Sequence, residues 1–131
     1  MVMPGIGESY GGSTLFGSDG TLYVATKTGI FKSTGQAIGT QWTQLANSPQ
    51  SDVIIDDGTY LYASNTWAGT DPSGNGQGKV FWQAPLSDLT AWKQPTQPDS
   101  PRGSYEFAYD KTHHIIYSAN MIGGLWRLIT Q

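Results

Sequence analysis

Asp57-Gly58-Thr59-Tyr60-Leu61-Tyr62-Ala63-Ser64-Asn65 reads as a tight turn that feeds an apolar strand. An apolar run, Val53-Ile54-Ile55, leads into it. Asp-Gly between two such runs is a strong hairpin signal, because Gly accepts the positive φ of the turn. The pattern recurs on both sides. Upstream it is Asp19-Gly20-Thr21-Leu22-Tyr23-Val24-Ala25-Thr26, and downstream Asp110-Lys111-Thr112-His113-His114-Ile115-Ile116-Tyr117-Ser118-Ala119-Asn120. Each copy is an apolar strand, a turn opened by Asp, and a second strand carrying Tyr followed by small residues.

A third strand follows in each copy: Gly29-Ile30-Phe31-Lys32, Lys79-Val80-Phe81-Trp82 and Gly124-Leu125-Trp126-Arg127. The step from Phe31 to Trp42 equals the step from Phe81 to Trp92, and each Trp opens a short fourth strand, Gln41–Leu45 and Ala91–Gln94. The same step from Trp126 runs past Gln131, so the third unit has three strands. Repeated four-stranded antiparallel units of this kind are the sequence signature of β-propeller blades. The reading is all-β: one domain over 1–131, with units at roughly 10–47, 50–96 and 104–131. Leu86-Ser87-Asp88-Leu89 is the one stretch ambiguous with a helical turn.

Composition agrees and narrows the function. The chain has 131 residues, 17 Gly, 5 Trp, 7 Tyr and no Cys. Many aromatics and turn formers with few charges suit short strands joined by tight turns. With 7 Lys plus Arg against 10 Asp plus Glu, there is no basic excess to neutralise phosphates or to hold an anionic membrane surface. No apolar run reaches the ~18 residues needed to span a bilayer. Without Cys, disulfides and thiolate metal sites are excluded, and the two His are adjacent (His113, His114), so no metal site and no cofactor is expected. Met1 to Ser9 lacks the basic start and apolar core of a secretory signal. The neutral, Ser/Thr/Gln-rich character is nevertheless that expected of an extracellular protein.

The units resemble the Asp-box propellers, the sialidase-like group that includes polysaccharide-acting enzymes. The residues that carry the resemblance are Leu22-Tyr23-Val24-Ala25-Thr26, Gly29-Ile30-Phe31-Lys32-Ser33-Thr34 and Thr40-Gln41-Trp42. In that family a Ser-x-Asp-x-Gly-x-Thr-Trp turn joins the third and fourth strands. Here Ser33 and Trp42 are in place, but Gly35 and Gln36 occupy the region of the Asp, with two extra residues. The second unit keeps Ser87-Asp88-Leu89-Thr90-Ala91-Trp92. The closing Gly123-Gly124-Leu125-Trp126-Arg127 is similar to the final blade of secreted microbial and fungal propellers. The resemblance implies a propeller fold and, more loosely, a carbohydrate-related role.

Closed propellers need about 4 to 8 blades. Fewer than three per chain leaves three alternatives. A symmetric homodimer could close a six-bladed ring, with residues 1–9, including Met1-Val2-Met3, completing the last blade of the partner. The chain could instead be a fragment of a longer propeller. It could also be a different sheet protein, such as a sandwich.

In a propeller, sites gather around the channel mouth, at the loops joining second to third strands and one blade to the next. Those loops are Asn47 to Asp52, Asn65 to Gly78, Gln94 to Ser104 and Asn120 to Gly123. Asn65 to Gly78 is long where its counterpart is only Lys27-Thr28. It holds Trp67, Asp71, Asn75 and Gln77. A Trp flanked by amides suits a sugar, whose C–H face stacks on the ring while its hydroxyls bond the amides. Equally, Trp67 could pin its own loop. The leading expectation is therefore a glycan-binding homodimer using Trp67, Asn65, Asp71, Arg102, Glu106 and Asn120. One alternative is a polysaccharide hydrolase or lyase with Glu106 or Asp52 as acid/base. Another is a scaffold that binds protein. A sialidase is disfavoured, because two Arg (Arg102, Arg127) cannot build its arginine cluster. Trp42, Trp82, Trp92 and Trp126, with Tyr23, Tyr62 and Tyr117, are expected to pack between blades. Asp19, Asp57 and Asp110 are expected to be turn residues, and a His113–Asp110 pair a solvated turn.

Overall fold

A computed structural model describes residues 12–66, 81–95, 103–120 and 124–130. Among these there is no helix. Among the described residues ten strands form three antiparallel sheets in chain order. The first sheet is β1 (Thr14–Phe16), β2 (Leu22–Thr26), β3 (Gly29–Ser33) and β4 (Trp42–Gln44). The second is β5 (Val53–Asp56), β6 (Tyr60–Ser64) and β7 (Phe81–Pro85), and the third β8 (Ser104–Asp110), β9 (Ile115–Asn120) and β10 (Gly124–Ile129).

The three Asp-opened turns share one construction. Asp19 Oδ1 accepts the Thr21 amide at 2.9 Å, and its Oδ2 accepts the Tyr23 hydroxyl at 2.7 Å. Asp57 repeats this, taking the Thr59 and Tyr60 amides at 2.8 and 2.7 Å and the Tyr62 hydroxyl at 2.8 Å. Each carboxylate thus closes its turn and anchors the tyrosine of the next strand. In the third unit Asp110 accepts the Thr112 and His113 amides, and His113 Nδ1, at 2.7 Å, stands where the tyrosine hydroxyl stood. The left-handed residue is Gly20 (φ 79°), Gly58 (φ 91°) and then His114 (φ 55°). Repetition of Asp at these places is turn chemistry, as the sequence indicates.

Strand alternation gives each sheet two faces. The Tyr23 face of the first sheet packs on the face of the second that carries Ile54, Leu61 and Ala63, with Ala25, Ile30 and Leu45 also buried there. The opposite face of the second sheet, carrying Tyr62, meets the face of the third that carries Phe107, Ile116 and Trp126. Phe81 and Phe107 sit 6.1 Å apart across this second seam. Both seams are also tied by polar contacts. The Ser13 amide donates to the Asp52 carbonyl (2.9 Å), and the Ser104 amide to Ser64 Oγ (2.9 Å). Thr66 Oγ1 donates to the Ser104 carbonyl at 2.5 Å. Gly103 is required at this point, because a Cβ there would lie 2.2 Å from the Asn65 carbonyl oxygen.

The described part of the third strand in the second unit is Phe81–Pro85, and Lys79 and Val80, like Met1-Val2-Met3, lie outside the described residues. Two details differ from the sequence expectation. Register aligns Phe31 with Trp82 and Trp126, not with Phe81, because Val24, Ala63 and Ser118 pair with those three residues. The fourth strand of the second unit is reduced to one bridge, Gln83 to Lys93. Trp92 nonetheless packs against the main core, and Trp42 covers Val24 and Phe31. Leu86–Leu89 forms turns rather than a helical segment: the Asp88 amide donates to the Pro85 carbonyl, and Asp88 Oδ1 accepts the Thr90 amide and hydroxyl.

Candidate functional site

The three Asp-opened turns converge at one end of the sheets around a cleft of about 510 Å³. Phe16 and Ser18 come from the first sheet, Asp56 from the second, and Tyr109, Lys111 and His114 from the third. Asp56 is the clamp. Its Oδ2 accepts the Ser18 amide at 3.0 Å, and its Oδ1 accepts the Gly58 amide at 2.9 Å. Across the cleft, Tyr109 Oη lies 3.3 Å from His114 Nδ1. Phe16 is 64% exposed. The cleft therefore presents an exposed aromatic ring beside two carboxylates, an amine, an imidazole and two hydroxyls. Its volume lies within the roughly 300–1,000 Å³ of small-ligand sites.

This end is opposite the one singled out from loop length. Asn65 and Asn120 close the far ends of β6 and β9 and are buried, each 8% exposed. Asn120 Oδ1 accepts the Ser118 hydroxyl, and residue 120 pairs with Ser104. Asp52 is half-buried and accepts the Thr66 amide at 2.9 Å. Burial raises its pKa above the ordinary carboxylate value, with the Thr66 hydrogen bonds and Lys27 opposing. Glu106 is exposed on the face of the third sheet turned away from the second. Asp52 lies at the seam of the first and second sheets. Two sheets separate these carboxylates, so they do not face one another as an acid/base pair. Trp67, Asp71, Arg102, Asn75 and Gln77 lie outside the described residues.

A second, apolar cavity of about 80 Å³ lies between the second and third sheets, bordered by Phe81, Phe107, Ile116 and Trp126. It is too small for an ordinary ligand. Trp42, Trp82, Trp92 and Trp126 are all half-buried, and the Trp42 and Trp92 indole nitrogens are buried without a hydrogen-bond partner, which fits packing rather than ligand recognition. His113 is exposed, and its contact with Asp110 holds that carboxyl below its usual range. Among the described residues no cluster of three or more His, Asp or Glu could hold a metal ion.

Nothing in the sequence signalled the cleft as a unit. Phe16, Asp56 and Tyr109 are far apart in the chain and meet only because the sheets fan in sequence order. No family model matches the chain, and neither a curated protein nor a solved structure matches it.

Proposed function

We propose that the three sheets are blades of a β-propeller and that the chain is a carbohydrate-binding module of a two-chain ring. The observation that carries the sugar reading is the cleft at the turns, with Phe16 exposed beside Asp56, Lys111 and His114. A pyranose offers a flat C–H face to an aromatic ring and hydroxyls to charged groups. The site supplies both within one concavity. Asp56 and Asp57 border it, so a neutral sugar fits better than an acidic one. Binding rather than hydrolysis follows from the carboxylates: both Asp56 oxygens already accept turn amides, and the two weak acid/base candidates stand two sheets apart.

Support for the blade reading is the repeat itself. Three meanders follow one another, and each seam packs a Tyr face on a Leu/Ile face. The binding test is calorimetric titration with a panel of neutral oligosaccharides against the wild type and Phe16→Ala. The expected result is saturable binding by at least one sugar, weakened tenfold or more by Phe16→Ala. No heat at millimolar sugar, or an unaffected Phe16→Ala, refutes the assignment to this cleft.

A further inference from the structure

The seams define a rule for which face meets which. In the first sheet the face with Tyr23 packs on the next sheet's face with Leu61. In the second the face with Tyr62 packs on the next sheet's face with Ile116. Leu22, Leu61 and Ile116 each precede the repeated tyrosine, so the three sheets present equivalent faces in equivalent order. Among the described residues, two faces are left without a partner sheet. One is the Tyr117 face of the third sheet, the other the Leu22 face of the first.

The Tyr117 face carries Ala108, Ile115, Ala119, Leu125 and Ile129, interspersed with Glu106, Asp110 and Arg127. Leu125 is 73% and Ile129 65% exposed, on an edge strand with no fourth strand beside it among the described residues. Exposed Leu125 and Ile129 beside an open strand edge are an aggregation liability unless something covers them. The Leu22 face carries Thr14, Phe16, Val24, Phe31 and Gln44, with Val24 and Phe31 buried under Trp42, Thr14 and Gln44 at its exposed margin, and Phe16 at the turn end where it lines the cleft.

We infer that the Tyr117 face of one chain docks on the Thr14, Val24, Phe31 and Gln44 part of the Leu22 face of a second copy, and reciprocally, leaving Phe16 at the turn end to the cleft and making two identical seams of the kind already present inside the chain. The occupant is a second copy because the two faces left over are the two halves of the seam this chain builds twice within itself. A contact between different faces, repeated by a two-fold rotation, closes after two chains and leaves no face bare. A three-stranded face of this length measures about 15 by 20 Å. Four such faces meet in the dimer, about 1,200 Å² in projection, the lower bound of a stable specific interface. The inference rests on reading the sheets as blades, and it adds the surfaces and the direction of assembly.

The test is native mass by light scattering on the full chain and on two single variants, Ile129→Lys on the Tyr117 face and Thr14→Lys on the Leu22 face. Both positions are exposed strand residues outside the cleft lining, and circular dichroism checks that each variant keeps its sheet content. The expected result is twice 14.2 kDa for the wild type and 14.2 kDa for both variants. A wild-type mass of one chain, or of any number other than two, overturns the inference. So does a dimer that survives Thr14→Lys but not Ile129→Lys, which would mean that like faces meet. If either variant loses its sheet content, Leu125→Lys or Gln44→Lys replaces it on the same face. A single-chain mass removes the two-chain ring along with these seams but leaves the sugar titration of the cleft untouched, so the docking and the sugar readings fail separately.

Discussion

Replacing Tyr23 with Phe removes one hydroxyl and leaves the ring, which is 1% exposed, where it is. The lost contact is the 2.7 Å hydrogen bond to Asp19 Oδ2. Hydrogen bonds to charged groups contribute about 1.5–3 kcal/mol. Asp19 is exposed and recovers water in the variant, so the cost falls at the low end, about 1.5 kcal/mol. For a chain of this length that lowers Tm by roughly 4–8 °C. The pH dependence is the sharper part. Burial alone would raise the Asp19 pKa, but the Tyr23 hydroxyl and the Thr21 amide outweigh it, and the folded value lies below 3.8. A depressed carboxylate stabilises above its unfolded pKa and loses that contribution as pH falls through the folded one. Tyr23 shifts the other way: burial and Asp19 raise its pKa well above 10. Its contribution is present below about pH 10 and is lost as pH rises through the raised value. Urea unfolding of wild type and Tyr23→Phe across this range should therefore show a gap that is widest between about pH 5 and 9. It should close in strong acid and narrow in strong alkali. A gap that is flat with pH, or below about 0.3 kcal/mol at pH 7, would refute the claim that the tyrosine-to-carboxylate hydrogen bond anchors the repeat.

Other consequences follow from the packing. Gly103→Ala sets a Cβ against the Asn65 carbonyl and should cost about 1–3 kcal/mol in denaturant unfolding by prising the second and third sheets apart. Gly58→Ala, with nothing within 4 Å of the new Cβ, should cost only the left-handed strain of about 1–2 kcal/mol and leave the seams intact by tryptophan fluorescence. Leu61→Ala empties a fully buried position in the main core and should cost about 2–5 kcal/mol in the same assay. Asp56→Asn keeps both side-chain positions but can present only one acceptor oxygen to the Ser18 and Gly58 amides, so sugar affinity should fall together with a small loss of stability.

Much of the fold was legible because its signals are local. Asp-Gly before an apolar strand, and the tyrosine after it, mark two of the turns without any long-range knowledge. Asp110 was readable as the third turn even though His113 replaces the hydroxyl partner and His114 replaces Gly in the left-handed place. The register of β7 was not legible. Phe81 and Trp82 are both large aromatics, and a period-two pattern cannot say which of two such neighbours faces the core. Pairing with Ala63 decides it in favour of Trp82 as the counterpart of Phe31. The fourth strand of the second unit was overread, since Trp92 is held by core packing while only Lys93 pairs. Loop length directed attention to Asn65 and Asn120, yet both are buried strand-end residues, and the short turns at the other end build the cleft. A cleft assembled from three turns is a property of how the sheets fan, which no single stretch of the chain encodes.

Whether the turn cleft takes a sugar is the most direct test of the molecule's function. Amide chemical-shift mapping during titration with a neutral oligosaccharide reads both the event and its place. The predicted result is saturable shifts confined to Phe16–Ser18, Asp56–Gly58 and Tyr109–His114. Shifts centred on Asn65 and Asn120, or no shifts at millimolar sugar, would contradict it.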